Sequence, residues 1–118
     1  MSTQIVDAAY VQEHLGEVPV VDLRPEFMFD SYHVPGAKSI DYWFFKTQNG
    51  FTLGTRLAQF LGEIGVGVSD PVVIMCQSGM MSTEAVELLE GQGFTELRHY
   101  EGGWSDWASD KSRPREGR

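Results

Sequence analysis

Cys76 is the only cysteine in the 118-residue chain, and its neighbours are those of a nucleophilic thiol. The run Pro71-Val72-Val73-Ile74-Met75 leads straight into it, and Gln77-Ser78-Gly79-Met80-Met81-Ser82-Thr83-Glu84 follows. An apolar run of this length, opened by proline, predicts a strand buried on both faces. Ser82 and Thr83 are helix-capping residues with Glu84 in the first turn, and Ala85, Leu88 and Leu89 continue as an apolar stripe. Cys76 is therefore expected where a strand ends and a helix begins, with loop amides and a helix N-terminus directed at its sulfur. Such an arrangement stabilises negative charge, lowers a thiol pKa and suits nucleophilic attack. The bland reading, an inert buried thiol, is the ordinary fate of a lone cysteine.

A second polar group interrupts an apolar strand. Val18-Pro19-Val20-Val21-Asp22-Leu23 is followed by Arg24-Pro25. Asp22 reads as the internal partner of an ion pair, because a buried carboxylate almost always has one. Arg24 reads equally as that partner or as a cation facing a ligand. His33, in the turn Tyr32-His33-Val34-Pro35-Gly36-Ala37, reads as a hydrogen-bonded structural histidine near the site.

The elements that must hold these residues follow from periodicity. Asp7 caps a first helix with Ala8, Val11 and Leu15 at helical spacing, and Gly16 ends it. Residues 25–31 predict a short helix, and Lys38-Ser39-Ile40-Asp41 a short strand. Tyr42-Trp43-Phe44-Phe45 is an aromatic cluster of core or pocket wall, before the turn Asn49-Gly50. Leu53, Leu57, Phe60, Leu61 and Ile64 mark the most regular amphipathic helix. Gly91-Gln92-Gly93 closes the helix after Cys76. Thr95-Glu96-Leu97-Arg98-His99-Tyr100 predicts a last, partly exposed strand, and residues 104–108 a short helix with Trp104 and Trp107 on one face. Residues 109–118 are polar and aperiodic and are expected to be a disordered tail. Strands alternating with helices predict an α/β domain with a largely parallel sheet, whose ligands collect at the carboxyl ends of the strands. Asp22, Arg24 and Cys76 all fall at that edge.

Composition narrows the class. With 42% hydrophobic and 12% aromatic residues, the chain is globular and of single-domain size. The formal net charge is −8, and the tail from residue 110 holds four cations and two anions, leaving residues 1–109 at −10. Such an acidic body is a poor partner for nucleic acid or anionic lipid. One cysteine makes no internal disulfide, and no cysteine–histidine spacing resembles a zinc site. With no signal-peptide pattern and no apolar run of membrane-spanning length, the expected location is cytoplasmic.

The sequence resembles a single-domain rhodanese over most of residues 5–108. Val20-Val21-Asp22-Leu23-Arg24 with Tyr32-His33-Val34-Pro35-Gly36-Ala37 is similar to the family's strand-Asp-x-Arg and Gly-His-Ile-Pro-Gly-Ala signature. Residues 72–82 are similar to its active-site strand and Cys-x-x-Gly-x-x loop. Tyr100-Glu101-Gly102-Gly103-Trp104-Ser105-Asp106-Trp107 is similar to its closing Gly-Gly-x-x-x-Trp motif. The resemblance implies a central, mostly parallel sheet of about five strands with helices on both faces. It also implies sulfur transfer. Cys76 takes a sulfane sulfur from thiosulfate, a persulfide or polysulfide, or mercaptopyruvate, and the persulfide passes it to cyanide, a thiol or a sulfur-accepting protein. The backbone amides of Gln77, Ser78, Gly79, Met80, Met81 and Ser82 would cradle that sulfur, with the Ser78 hydroxyl as an extra donor and Arg24 as the cation for an anionic donor. Because the cradle is main chain, no metal or organic cofactor is implied.

Two departures qualify the resemblance. Tyr32 stands where the family usually has glycine, and Met81 stands where many thiosulfate-using relatives carry arginine. A charge-assisted hydrogen bond to an anionic donor is worth about 1.5–3 kcal/mol, so thiosulfate activity is expected to be weak. Met81 also belongs to the helical stripe with Ala85, Leu88 and Leu89, which gives it a packing role. The phosphatase relatives need Cys-x5-Arg, but Ser82 stands six residues after Cys76 and the loop has no arginine. The competing reading is a rhodanese fold that serves as a non-catalytic binding, sulfur-carrier or sensing module.

Overall fold

The computed structural model describes residues 3–118. Its centre is a five-stranded, all-parallel sheet in the order β1-β5-β4-β2-β3. The strands are β1 (Gln4–Ile5), β2 (Val20–Asp22), β3 (Lys38–Ser39), β4 (Val72–Met75) and β5 (Leu97–His99). The helices are α1 (Ala8–Glu13), α2 (Glu26–Ser31), α3 (Tyr42–Asn49), α4 (Leu53–Glu63), α5 (Met80–Gly91) and α6 (Gly103–Ser109), with a 3-10 turn at Gly50–Thr52.

The middle strand explains the layering. All four residues of β4 are buried, because helices cover both faces of a parallel sheet. Successive side chains point to opposite faces. Val72, Ile74 and Cys76 enter one core with Tyr42, Leu57, Leu61, Ala85 and Leu89, under α3, α4 and α5. Val73 and Met75 enter the other with Val11, Phe29, Tyr100 and Trp107, under α1, α2 and α6.

Local chemistry sets the element boundaries. The Asp7 carboxylate accepts from the Tyr10 amide and caps α1. Asp41 caps α3 in the same way through Phe44. That helix occupies the segment read from sequence as an aromatic wall. Tyr42 is buried, whereas Trp43 is 64% and Phe44 62% exposed. The last strand also differs from its expectation: β5 lies inside the sheet between β1 and β4, with Leu97 and His99 buried.

The structure departs further from the sequence reading at residues 109–118. This polar segment returns along α2. His33 and Glu116 exchange both backbone hydrogen bonds, at 2.8 and 3.0 Å, and the Arg118 amide donates to the Asp30 carbonyl. The buried Trp107 indole N–H donates to the Pro114 carbonyl at 2.8 Å. These bonds satisfy an indole and a turn that the core leaves unpaired. Among the described residues no helix is long and apolar enough to cross a membrane.

Candidate active site

β2 and β4 are neighbours and end together: Asp22 pairs with Met75, and the Leu23 amide donates to the Met75 carbonyl. The turns after them therefore share the carboxyl edge of the sheet, where ligands bind in such folds. Cys76 continues β4 and is 2% exposed. The chain then reverses through Gly79, whose φ of +99° is left-handed. A Cβ there would come within 2.8 Å of the Glu101 carbonyl oxygen, so only glycine makes this turn without strain.

Gly79 also supplies the amide that reaches the sulfur. Its N–H donates to Cys76 Sγ at 3.2 Å. Among the described residues, the expected amides of Gln77, Ser78, Met80, Met81 and Ser82 make no hydrogen bond to Sγ. The hydroxyl at the sulfur is that of Ser82, 3.3 Å away, rather than that of Ser78, which is exposed. The reason lies in the helix start. α5 begins at Met80 with Gly79 as its N-cap, not at Ser82–Thr83, and Thr83 Oγ1 donates back to the Gly79 carbonyl at 2.7 Å. Ser82 is thereby placed inside the first turn, facing Cys76. The N-terminus of a 12-residue helix stands behind the sulfur. In the same loop, Gln77 Oε1 is buried with no hydrogen-bond partner.

The loop is pinned from the far side by α6. The Trp104 amide donates to the Cys76 carbonyl at 2.9 Å and the Ser105 amide to the Gln77 carbonyl at 3.0 Å. Such an approach needs Gly103: it has φ +61°, and a Cβ on it would overlap the Cys76 carbonyl oxygen. The closing Gly-Gly motif thus sets the position of Cys76.

Arg24 is turned inward. Its side chain is 2% exposed and meets the Asp22 carboxylate at 2.8 Å. It also donates to the Tyr32 carbonyl at 2.9 Å and packs its guanidinium on the Trp104 ring. The geometry is that of an internal ion pair fixing the turn after β2, which corrects its assignment as the cation for an anionic donor. His33 stacks on Phe29 and donates from Nδ1 to the Phe29 carbonyl at 2.6 Å, a packing position beside the tail.

Met81 and the exposed Met80 line a pocket with Tyr42 and Lys46 of α3 and Glu84 of α5. Glu84 accepts from the Tyr42 hydroxyl at 2.7 Å and from Lys46 at 2.9 and 3.0 Å. The Tyr42 and Lys46 hydrogen bonds hold its carboxyl below the usual range, while burial and then Glu84 push Tyr42 up. Lys46 is thus engaged by Glu84. At the other end of the edge, Arg115 from the C-terminal segment stands 5.6 Å from the Trp104 ring centroid. It makes no ion pair among the described residues. With Phe27, Tyr32 and Trp104 it lines a cleft of about 320 Å³.

Sequence reasoning missed His99. Its Nε2 lies 2.7 Å from Ser82 Oγ, and its Nδ1 lies 4.0 Å from Glu101 Oε2. Burial holds the imidazole below its ordinary pKa, with Glu101 opposing. The one sequence signal is parity: His99 falls on the same face as Leu97, in a strand that turned out to adjoin β4. Among the described residues no three His, Cys, Asp or Glu side chains gather as a metal site requires.

Comparison with known proteins bears on the family. The thiosulfate sulfurtransferase GlpE of Shewanella oneidensis is 29% identical over 90 residues, covering 76% of this chain and 75% of that protein. The GlpE of Pseudomonas syringae is 28% identical over 88 residues, covering 75% and 70%. The solution structure of a rhodanese-like domain from an Anabaena protein superposes with a TM-score of 0.71 at 20% identity, covering 100% of this chain and 81% of that one. The sequence model of the rhodanese-like domain matches residues 7–110. Since that match runs from the cap of α1 to the end of α6, the chain belongs to the rhodanese-like domain family.

Proposed function

We propose that the protein is a sulfurtransferase working through a Cys76 persulfide. In the first step the Cys76 thiolate attacks the outer sulfur of a sulfane donor. The donor's S–S bond breaks and its electron pair leaves with the departing group, sulfite in the case of thiosulfate; in mercaptopyruvate the C–S bond breaks instead and the pair leaves with pyruvate as its enolate. In the second step cyanide or a thiolate attacks the outer sulfur of the persulfide, and Cys76 departs as thiolate. The observation that carries this reading is the Gly79 amide on Sγ at the end of the central strand. The amides of Gln77, Ser78, Met80, Met81 and Ser82, free of the inner sulfur, are placed in this reading around the outer one. The GlpE relatives bear the name of thiosulfate sulfurtransferases, which supports the reaction class.

The loop carries no charged side chain, so thiosulfate is expected to be a poor donor and neutral or monoanionic persulfides and mercaptopyruvate better ones. The net negative charge makes nucleic acid and anionic membranes poor partners of this chemistry, and cytoplasmic work suits a thiol that must stay reduced. A non-catalytic binding module is the second reading, favoured by the 2% exposure of Cys76. Mass spectrometry after incubation with a panel of donors decides between them. A gain of one sulfur on Cys76, absent in Cys76→Ser, followed by loss to cyanide, is the result expected. No added sulfur from any donor would leave the module reading.

A further inference from the structure

We propose that His99 is a positioning residue for Cys76 that sets the direction of the Ser82 hydroxyl and takes up the thiol proton through it. The inference rests on Cys76 being the nucleophile. Three side chains form an unbroken path: Cys76 Sγ to Ser82 Oγ at 3.3 Å, and Ser82 Oγ to His99 Nε2 at 2.7 Å. All three residues are buried, at 2%, 0% and 3% exposure.

A serine hydroxyl has one proton to give, so the path has two consistent states. In the first, the thiol donates to Ser82 Oγ and the Ser82 hydroxyl donates to a neutral Nε2. In the second, Nε2–H donates to Ser82 Oγ and the hydroxyl donates to the thiolate. Conversion moves the thiol proton to Oγ and the hydroxyl proton to Nε2. It leaves a thiolate and an imidazolium, with the Nδ1 proton unmoved. Glu101, 4.0 Å from Nδ1, opposes the new positive charge with a negative one.

The surroundings suit an acceptor. Burial favours the neutral ring, so Nε2 has a lone pair to offer at neutral pH. The residues beside His99 from the elements packed on it are Ile5 of β1, Ile74 of β4 and Ser82 of α5. None of these is charged. Glu101 is the charge that bears on the ring, and Cys76, reached through Ser82, is the other titratable group. A serine in the first turn of a helix commonly bonds a carbonyl of its own chain. Ser82 instead bridges sulfur and imidazole.

The test is iodoacetamide alkylation of Cys76 as a function of pH in wild type, His99→Gln, Ser82→Ala and the double variant, each checked for folding by circular dichroism. Either single variant should slow alkylation at neutral pH about tenfold, the effect of one unit on a thiol titration, and move the profile to higher pH. The double variant should add nothing, because both act on one path. Profiles coinciding with wild type, or effects that multiply, would overturn the inference. A second measurement needs only wild-type protein: the His99 imidazole is titrated by NMR before and after methylthiolation of Cys76. A linked shift supports the path and an unchanged titration overturns it, whatever the variants do. Persulfide loading is read separately by mass spectrometry. A protein that loads sulfur but shows no linkage loses this inference alone; one that shows linkage without loading keeps it and loses the transfer reaction.

Discussion

Arg24 closes on Asp22 through three side-chain hydrogen bonds of 2.8–3.1 Å, and the Arg24 amide adds a fourth to the same carboxylate at 3.0 Å. Neither side chain reaches solvent. The pair sits directly beside Met75, the residue before Cys76. A buried pair is weak as a net stabiliser, yet removal of one partner leaves the other charge uncompensated.

Asp22→Asn is therefore expected to destabilise the fold by about 3–5 kcal/mol, read from urea unfolding. The double change Asp22→Leu with Arg24→Met, which removes both charges together, should recover most of that loss. A single variant within about 1 kcal/mol of wild type would show that the turn after β2 does not depend on the ion pair.

Gly103 and Gly93 separate backbone strain from steric contact. Both have positive φ, +61° and +93°. A Cβ at Gly93 meets nothing within 4 Å, whereas one at Gly103 overlaps the Cys76 carbonyl. Gly93→Ala should cost about 1–2 kcal/mol, the strain of a left-handed alanine. Gly103→Ala should cost more and also slow persulfide loading, because relief of the overlap has to displace Cys76 or α6. Equal costs and equal loading rates would show that the Gly-Gly turn does not position the loop.

Acid should weaken the fold in two stages whose signs agree. Burial lowers the His99 pKa in the folded chain from its ordinary 6.5. As pH falls through that value the unfolded chain takes up the proton first, so stability present above about 6.5 declines until the folded ring titrates as well. Glu84 is lowered from 4.5 by its Tyr42 and Lys46 hydrogen bonds, so its contribution, present above about 4.5, is lost further into acid. Thermal unfolding between about pH 7.5 and about pH 5.5 should show a fall in Tm in wild type that is smaller in His99→Gln. Identical falls would remove His99 as the source.

Legibility in the sequence followed from how local each signal was. The Cys76 strand end was readable because an apolar run, a glycine and a helix stripe follow one another between Val72 and Leu89. The Asp7 cap and the α4 stripe were readable for the same reason. Helix α3 was not: four consecutive aromatics have no 3.6-residue period, and only Tyr42 of the first three is buried. The contact of Ser82 with His99 was not readable either, because it needs the strand order that sets β5 beside β4. The pairing of His33 with Glu116 spans the domain and rests on backbone groups, which leave no pattern in side-chain types. Arg24 was ambiguous until its depth was known, since an arginine two residues beyond an aspartate suits an ion pair and a ligand equally well.

The loop's missing cation gives the last prediction. Met81 lies on the turn of α5 next to Cys76, half-buried between Tyr42, Lys46 and Glu84. Lys46 on that side is held by Glu84 at 2.9 Å, and Arg24 on the other by Asp22, so neither offers a free charge to an anionic donor. Met81→Arg would place a guanidinium at the loop. Glu84, three residues on along the helix, already accepts from Tyr42 and Lys46 and is a reduced competitor for it. A charge-assisted bond of about 1.5–3 kcal/mol, made to the sulfonate as sulfite departs, corresponds to about a ten- to hundredfold gain in kcat/KM for thiosulfate. A neutral persulfide donor should show little gain, because it carries no sulfonate oxygens for the guanidinium to hold. Parallel steady-state assays with the two donors check both halves, and an equal change for both, or a fall with thiosulfate, would sink the electrostatic account of this loop.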